Sequence, residues 1–315
     1  MKTLVALALG AALSAHAAAF DVEGHRGARG LAPENTLAAF RTALALGVAT
    51  IETDVAVTRD DVVVISHNPR LSADLTRDAG DRWLDREGPR IRDLSYAELA
   101  RYDIGRLNPQ SSYARQFPQQ QASDGERFPK LEQLFDLVKD RDVRLNIETK
   151  LTPDHPEDAP APDPFARLVV ERVRAAGVAS RVTIQSFDWR TLLAVKKLAP
   201  ELRTSCLTIE TNNSNNVAPR NGAPSAWTAG LDLRQEASVP RLAKAAGCDV
   251  WSPFFRNATR ERIDEAHALG LTVLPWTVND TADIERLLDA GVDGLISDYP
   301  DRLKAIVEHR GLSAR

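Results

Sequence analysis

Three carboxylates in this 315-residue chain sit where they could hold a cation. Glu52 and Asp54 lie in Ile51-Glu52-Thr53-Asp54-Val55, and Glu148 lies in Asn146-Ile147-Glu148-Thr149-Lys150. Two residues apart on an extended strand, Glu52 and Asp54 project from one face at about 7 Å spacing. Like charges there repel unless a cation lies between them. With Glu148 from the next strand, and no cysteine among the partners, the set describes a hard-cation site for one divalent ion, Ca2+ or Mg2+. Zinc would draw nitrogen and sulfur ligands. A salt-bridged polar core, with Arg26 and Lys150 neutralising the acids, is the plainer account of the same residues.

Two histidines bear on that choice. His25 and His67 each end a predicted strand on the rim that carries the acids. Either alone reads as structural. Together they supply a general base and a general acid of near-neutral pKa, which hydrolysis of an ester with a poor alcohol leaving group requires. Arg26 and Lys150 can then donate to the remaining oxygens of a phosphate held against the cation. A phosphodiester substrate fits these parts. His155, in a proline-rich loop, and His267, on a helix surface, receive no role. The chain has no G-x-S-x-G elbow, no phosphate-cradling G-x-x-x-x-G-K-[ST] loop and no G-x-G-x-x-G turn. Gly27 and Gly30 of His25-Arg26-Gly27-Ala28-Arg29-Gly30 are expected to open the backbone for close approach of substrate.

The elements that must position these groups alternate. From about Phe20, short β-branched or apolar runs alternate with amphipathic stretches, the pattern of parallel strands with crossover helices. Strands are predicted at Val22–Gly27, Thr50–Thr58 and Thr272–Val278, among others, and a helix at Asn35–Leu46. Gly47, Gly177, Gly247, Gly270 and Gly291 each follow a helical pattern and precede a strand, as helix-ending left-handed glycines do. Eight βα units fit if Val62–Ser66 is an extra hairpin strand beside Thr50–Thr58. The predicted fold is therefore an α/β, closed (β/α)8 TIM barrel, with an open doubly wound sheet as second choice. Polar residues 71–128 read as a small insertion between strand 2 and helix 2. Residues 211–233, opening on Thr211-Asn212-Asn213, read as a long loop. Segments of this kind either cover a site or are solvated connections.

Composition narrows the function classes. At 43% hydrophobic and 27% charged the chain is that of a globular protein, and a net charge of -4 offers no footprint for nucleic acid or an anionic membrane. Residues 1–19 have Lys2, an apolar run from Leu4 to Leu13 and small residues to Ala19, the pattern of a signal peptide cleaved after residue 17 or 19. The run is too short for stable membrane insertion. Export is expected, to a periplasm rather than by full secretion. In an oxidising compartment Cys206 and Cys248 either pair or stay as two buried small hydrophobes; spacing leaves both open.

At these residues the sequence resembles the glycerophosphodiester phosphodiesterase family. The resemblance rests on H-R-G-A-R-G-L-A-P-E-N-T at residues 25–36, I-E-T-D-V at 51–55, V-V-V-I-S-H at 62–67 and N-I-E-T-K at 146–150. Q-S-F-D at 185–188, P-W-T-V-N at 275–279 and S-D-Y-P at 297–300 extend it. It implies a (β/α)8 barrel that hydrolyses glycerophosphodiesters to sn-glycerol 3-phosphate and an alcohol. It further implies His25 and His67 as the acid and base pair, Glu52, Asp54 and Glu148 as metal ligands, and Arg26 and Lys150 as phosphate contacts. Phe187 and Trp276 would be flat walls for the glycerol or layers of the barrel, and Asn35 would cap the helix it precedes or line the site. Asn68 and Asp61 depart from the family's usual Asp and Gly at those positions. A phospholipase D-like enzyme and a non-catalytic binding protein are the rival readings.

Overall fold

The structure is a computed structural model that describes residues 20–314, so the expected leader at 1–19 lies outside the described residues. Nine strands form one sheet: β1 (Asp21–Gly24), β2 (Thr50–Val57), β3 (Val63–Ile65), β4 (Arg144–Thr149), β5 (Val182–Ser186), β6 (Arg203–Thr208), β7 (Val250–Pro253), β8 (Thr272–Val273) and β9 (Gly294–Ser297). Their order is β8-β7-β6-β5-β4-β2-β1-β9, parallel throughout, with β3 antiparallel on β2. The remaining edge is closed by backbone hydrogen bonds from Ile296 N to Pro275 O at 3.0 Å and from Val278 N to Ile296 O at 2.9 Å. The barrel is the predicted one, and the open sheet is excluded.

Eight helices surround it: α1 (Leu37–Leu46), α2 (Leu131–Val138), α3 (Pro162–Ala175), α4 (Trp189–Leu198), α5 (Val239–Ala245), α6 (Arg260–Ala268), α7 (Thr281–Ala290) and α8 (Pro300–His309). Every residue of β2 is buried, as expected where helices cover one face of a parallel sheet and the barrel interior the other. Alternation sends Ile51, Val55, Leu145 and Ile147 into the apolar core with the helices. It leaves Glu52, Asp54, Asn146, Glu148 and Gln185 for the interior. Register then stacks them: Glu52 lies beside Asn146, Asp54 beside Glu148, and Glu148 beside Gln185.

Several predicted boundaries move inward: the first strand, foreseen to Gly27, ends at Gly24, and the hairpin strand foreseen at Val62–Ser66 spans Val63–Ile65. The strand foreseen at Thr272–Val278 is a regular strand only over Thr272–Val273; beyond it pairing is interrupted, with Trp276 bridging Phe254 and with Pro275 and Val278 bonded to Ile296. The helix foreseen from Asn35 starts at Leu37, with the Thr36 side chain accepting from Ala39 N as the cap. Asn35 is therefore no cap; at φ 57° it turns its amide into the site. Residues 71–128 follow β3 and pack a small second core, Leu71, Ile91, Leu99, Ile104 and Phe128 with Ala56 and Val64, against the β2–β3 hairpin. Cys206 and Cys248 form a disulfide, which ties β6 to the residue pair before β7.

Candidate active site

Glu52, Asp54 and Glu148 converge at the carboxyl ends of β2 and β4, each offering an oxygen within 4.8 Å of the others. They are 1%, 1% and 6% exposed. Glu52 accepts from Arg26 N and Gln185 Nε2, both at 2.8 Å. Asp54 accepts from Asn35 Nδ2 at 2.9 Å. Burial pushes Glu148 up to about 7, against the pull of Lys150, and burial with the neighbouring Asp54 charge pushes Glu52 well above the usual carboxylate range. Burial acts on Asp54 too, but the His67, Arg26 and Lys150 charges outweigh it and hold that carboxyl low.

The expected neutralising cations are present and insufficient. Lys150 Nζ donates to Glu148 Oε1 at 2.6 Å and lies 3.7 Å from Asp54. Arg26 gives its Nη1 to Glu34 at 2.6 Å and has Nε 3.4 Å from Asp54 Oδ2. Four buried carboxylates, Glu34, Glu52, Asp54 and Glu148, thus face two cationic side chains. Among the described residues Glu52 has no lysine or arginine within 4 Å; its one ionic neighbour is His25, at 3.9 Å. The donor set, all oxygen and in excess of local positive charge, fits a divalent hard cation.

His25 and His67 come to the same rim. His25 Nδ1 meets Asp298 Oδ1 at 2.6 Å, which turns Nε2 toward Glu52. Burial and then the Arg29 charge lower His25 to about 4, so the free imidazole is neutral at pH 7. His67 Nδ1 pairs with Asn68 Oδ1 at 2.8 Å, and burial with the Arg26 and Lys150 charges also drives it well below its ordinary value. One cavity of about 180 Å³ is lined by His25, Arg26, Glu52, His67, Glu148 and Lys150, with Phe187 and Trp276 as walls. Those two rings meet edge to face at 5.2 Å above the strand ends, so they belong to the mouth and not to a packed barrel layer.

The glycine expectation fails for a steric reason. A Cβ on Gly27 would strike Ala39 of α1 at 2.8 Å, and one on Gly30 would strike the Tyr299 ring at 2.4 Å. The protein's own packing therefore requires glycine at both positions.

Sequence reasoning missed Asp298 and Arg29. Arg29 Nε donates to Asp298 Oδ1 at 2.8 Å, and Asn279 Nδ2 to Oδ2 at 2.8 Å, so the carboxylate that meets His25 is itself held on both oxygens. The signal was in the register: in a closed barrel the last strand lies beside the first, and Gly24 opposite Ser297 puts His25 opposite Asp298. Tyr113, from residues 71–128, donates to Glu34 and accepts from Arg29, a contact that nothing local in the sequence encodes.

Comparison with known proteins agrees with this geometry. Residues 25–302 match the model of the glycerophosphoryl diester phosphodiesterase family. A glycerophosphodiester phosphodiesterase of Caldanaerobacter subterraneus is 30% identical over 294 residues, covering 92% of this chain and 98% of its own. A crystal structure from Silicibacter pomeroyi, of the glycerophosphoryl diester phosphodiesterase type, superposes with a TM-score of 0.85 at 36% identity, over 95% of this chain and 97% of its own. An Oleispira antarctica phosphodiesterase solved with its product sn-glycerol-3-phosphate shares the fold, with a TM-score of 0.67 at 23% identity over 92% of this chain and 97% of its own. The chain belongs to the glycerophosphoryl diester phosphodiesterase family.

Proposed function

We propose that the chain hydrolyses glycerophosphodiesters to sn-glycerol 3-phosphate and an alcohol, with one divalent cation, Ca2+ or Mg2+, held by Glu52, Asp54 and Glu148. The observation that carries this reading is one small cavity lined by His25, His67, Arg26, Arg29, Lys150, Glu52 and Glu148, with Asp54 clustered behind the two glutamates. When bound, the cation offsets charge on the phosphate oxygens. Arg26 and Lys150, which line the cavity beside the acids, orient the same phosphate. His25 and His67 divide the proton transfers, one taking a proton from the nucleophile and one giving a proton to the departing alcohol. Asp298 fixes the ring of His25 and stabilises its charged form while it carries a proton. Phe187 and Trp276 exclude water from one side.

The product test is direct. Incubation with glycerophosphocholine should release glycerol 3-phosphate and choline. Release of phosphocholine and glycerol would place bond breakage on the other side of phosphorus and sink the reading, and activity confined to long-chain lysophospholipids would favour a phospholipase D-like enzyme.

Export to a periplasm is part of the same proposal, supported by the leader-like residues 1–19 and by the Cys206–Cys248 pair. Recovery of the protein in the cytosolic fraction with its leader intact would contradict it. Among the described residues no helix is long and apolar enough to cross a membrane.

A further inference from the structure

The small reaction cavity opens into a larger one of about 540 Å³, and Glu148, Lys150, Phe187 and Trp276 border both. Beyond them the larger cavity is walled by Trp227, with Asp154 and Asp158 among its polar residues. Its outer side is the 211–233 connection, which is built and not merely solvated. Buried Asn216 donates to Leu207 O at 3.0 Å and accepts from Ile209 N at 2.9 Å. Ser225 Oγ donates to Asn216 O at 2.6 Å and accepts from Trp227 N, which sets the indole against the cavity.

Three half-buried aromatic rings, Phe187, Trp227 and Trp276, thus border open space with one reactive end. Such surface left uncovered marks a ligand contact. The charged lining is mixed: Glu148, Asp154 and Asp158 stand with Arg220 and with Lys150, whose Nζ lies 5.8 Å from the Phe187 ring centroid, so Trp227 and Trp276 are the rings without a lysine over them. Asp158 has a buried oxygen with no hydrogen-bond partner, its Arg70 neighbour standing 3.6 Å off, while Asp154 is exposed at the rim. Arg220 also lines the cavity, with its Nη2 donating to Asn215 O at 3.2 Å. Aromatic faces together with carboxylates are the chemistry that recognises an alkylammonium group.

Given the reaction proposed above, we infer that this cavity is the leaving-group subsite and that it takes a cationic amino-alcohol, held by Trp227 and the Asp154–Asp158 side. The test compares kcat/KM for glycerophosphocholine and for glycerophosphoglycerol, whose leaving groups are respectively cationic and neutral, in the wild type, Trp227→Ala, Trp227→Phe and Asp154→Asn/Asp158→Asn. Expected are a wild-type preference of about tenfold or more for the choline diester and its loss in Trp227→Ala, chiefly through KM. Trp227→Phe should retain most of it, and the double Asn variant should reduce it. Equal kcat/KM for the two diesters in the wild type, or a ratio unchanged by every variant, overturns the subsite. Failure of both diesters to release glycerol 3-phosphate is a different result, and it overturns the reaction on which the inference rests.

Discussion

His25 and Asp298, 273 residues apart in the chain, meet at 2.6 Å because barrel closure lays β9 against β1. The contact gives the ring one orientation: with the proton on Nδ1, Nε2 faces the acid cluster with its lone pair. Asp298 is held in turn by Arg29 and Asn279, and although burial opposes its charge, the Arg29 and His25 charges keep its pKa low.

Asp298→Asn is therefore expected to lower kcat by about 10²-fold with little change in KM, because the ring is released and its charged form loses a partner. A steady-state comparison with folding checked by circular dichroism reads this out. A KM defect with normal kcat would assign Asp298 to substrate binding instead.

The two histidines proposed to transfer protons should each be needed. His25→Ala and His67→Ala are each expected to lower kcat by roughly 10² to 10⁴-fold, the scale of a lost general acid or base. Near-normal turnover in both would remove them from the mechanism.

Glu23 gives a prediction about stability. It is buried in β1, accepts from Asn146 Nδ2 at 2.9 Å, and is pushed up to about 8, first by burial and then by the Asp21 charge. The unfolded chain ionises this group near pH 4.5 while the folded chain keeps its proton to about pH 8. The unfolded state thus binds fewer protons across that window, and Glu23 erodes stability as pH rises through it, with no effect below it. Glu23→Gln keeps the acceptor for Asn146. It should match the wild type near pH 4 and exceed it at pH 8, by on the order of 3 kcal/mol. Urea unfolding at the two pH values measures the difference, and an advantage that shrinks with pH would refute the assignment.

The Cys206–Cys248 link closes a loop with a sequence separation of 42. Loop-closure entropy makes it worth about 3–4 kcal/mol, so reduction should lower Tm by roughly 6–12 °C. Thermal unfolding with and without dithiothreitol decides this, and an unchanged Tm would show that the link does not form in solution.

The legible part of this molecule was its alternation. Period-two spacing placed Glu52 and Asp54 on one face, and the helix-ending glycines, such as Gly47 at φ 71° and Gly291 at φ 83°, counted the βα units. The acids, histidines and cations share one rim because each ends or flanks a strand. What stayed hidden depends on closure and on loops. Asp298 acquires a partner only once β9 lies beside β1, Asn35 turns inward only because Thr36 takes the capping role, and Tyr113 reaches Glu34 from a segment with no periodicity. At the hairpin turn, where Asp61 departs from the family's usual glycine, Asp61 itself adopts φ 59° and is held by Arg92 at 2.8 Å, so local hydrogen bonding substitutes for glycine's freedom.

The central claim is that the three carboxylates hold a cation on which diester hydrolysis depends. The measurement is glycerol 3-phosphate release from glycerophosphocholine by EDTA-stripped protein, before and after Ca2+ or Mg2+ is restored, beside Glu148→Gln. Stripping should abolish release, at least one of the two ions should restore it, and Glu148→Gln should stay about 10²-fold or more below the wild type at the same ion concentration. Full activity after exhaustive stripping, or in Glu148→Gln without added metal, would contradict it.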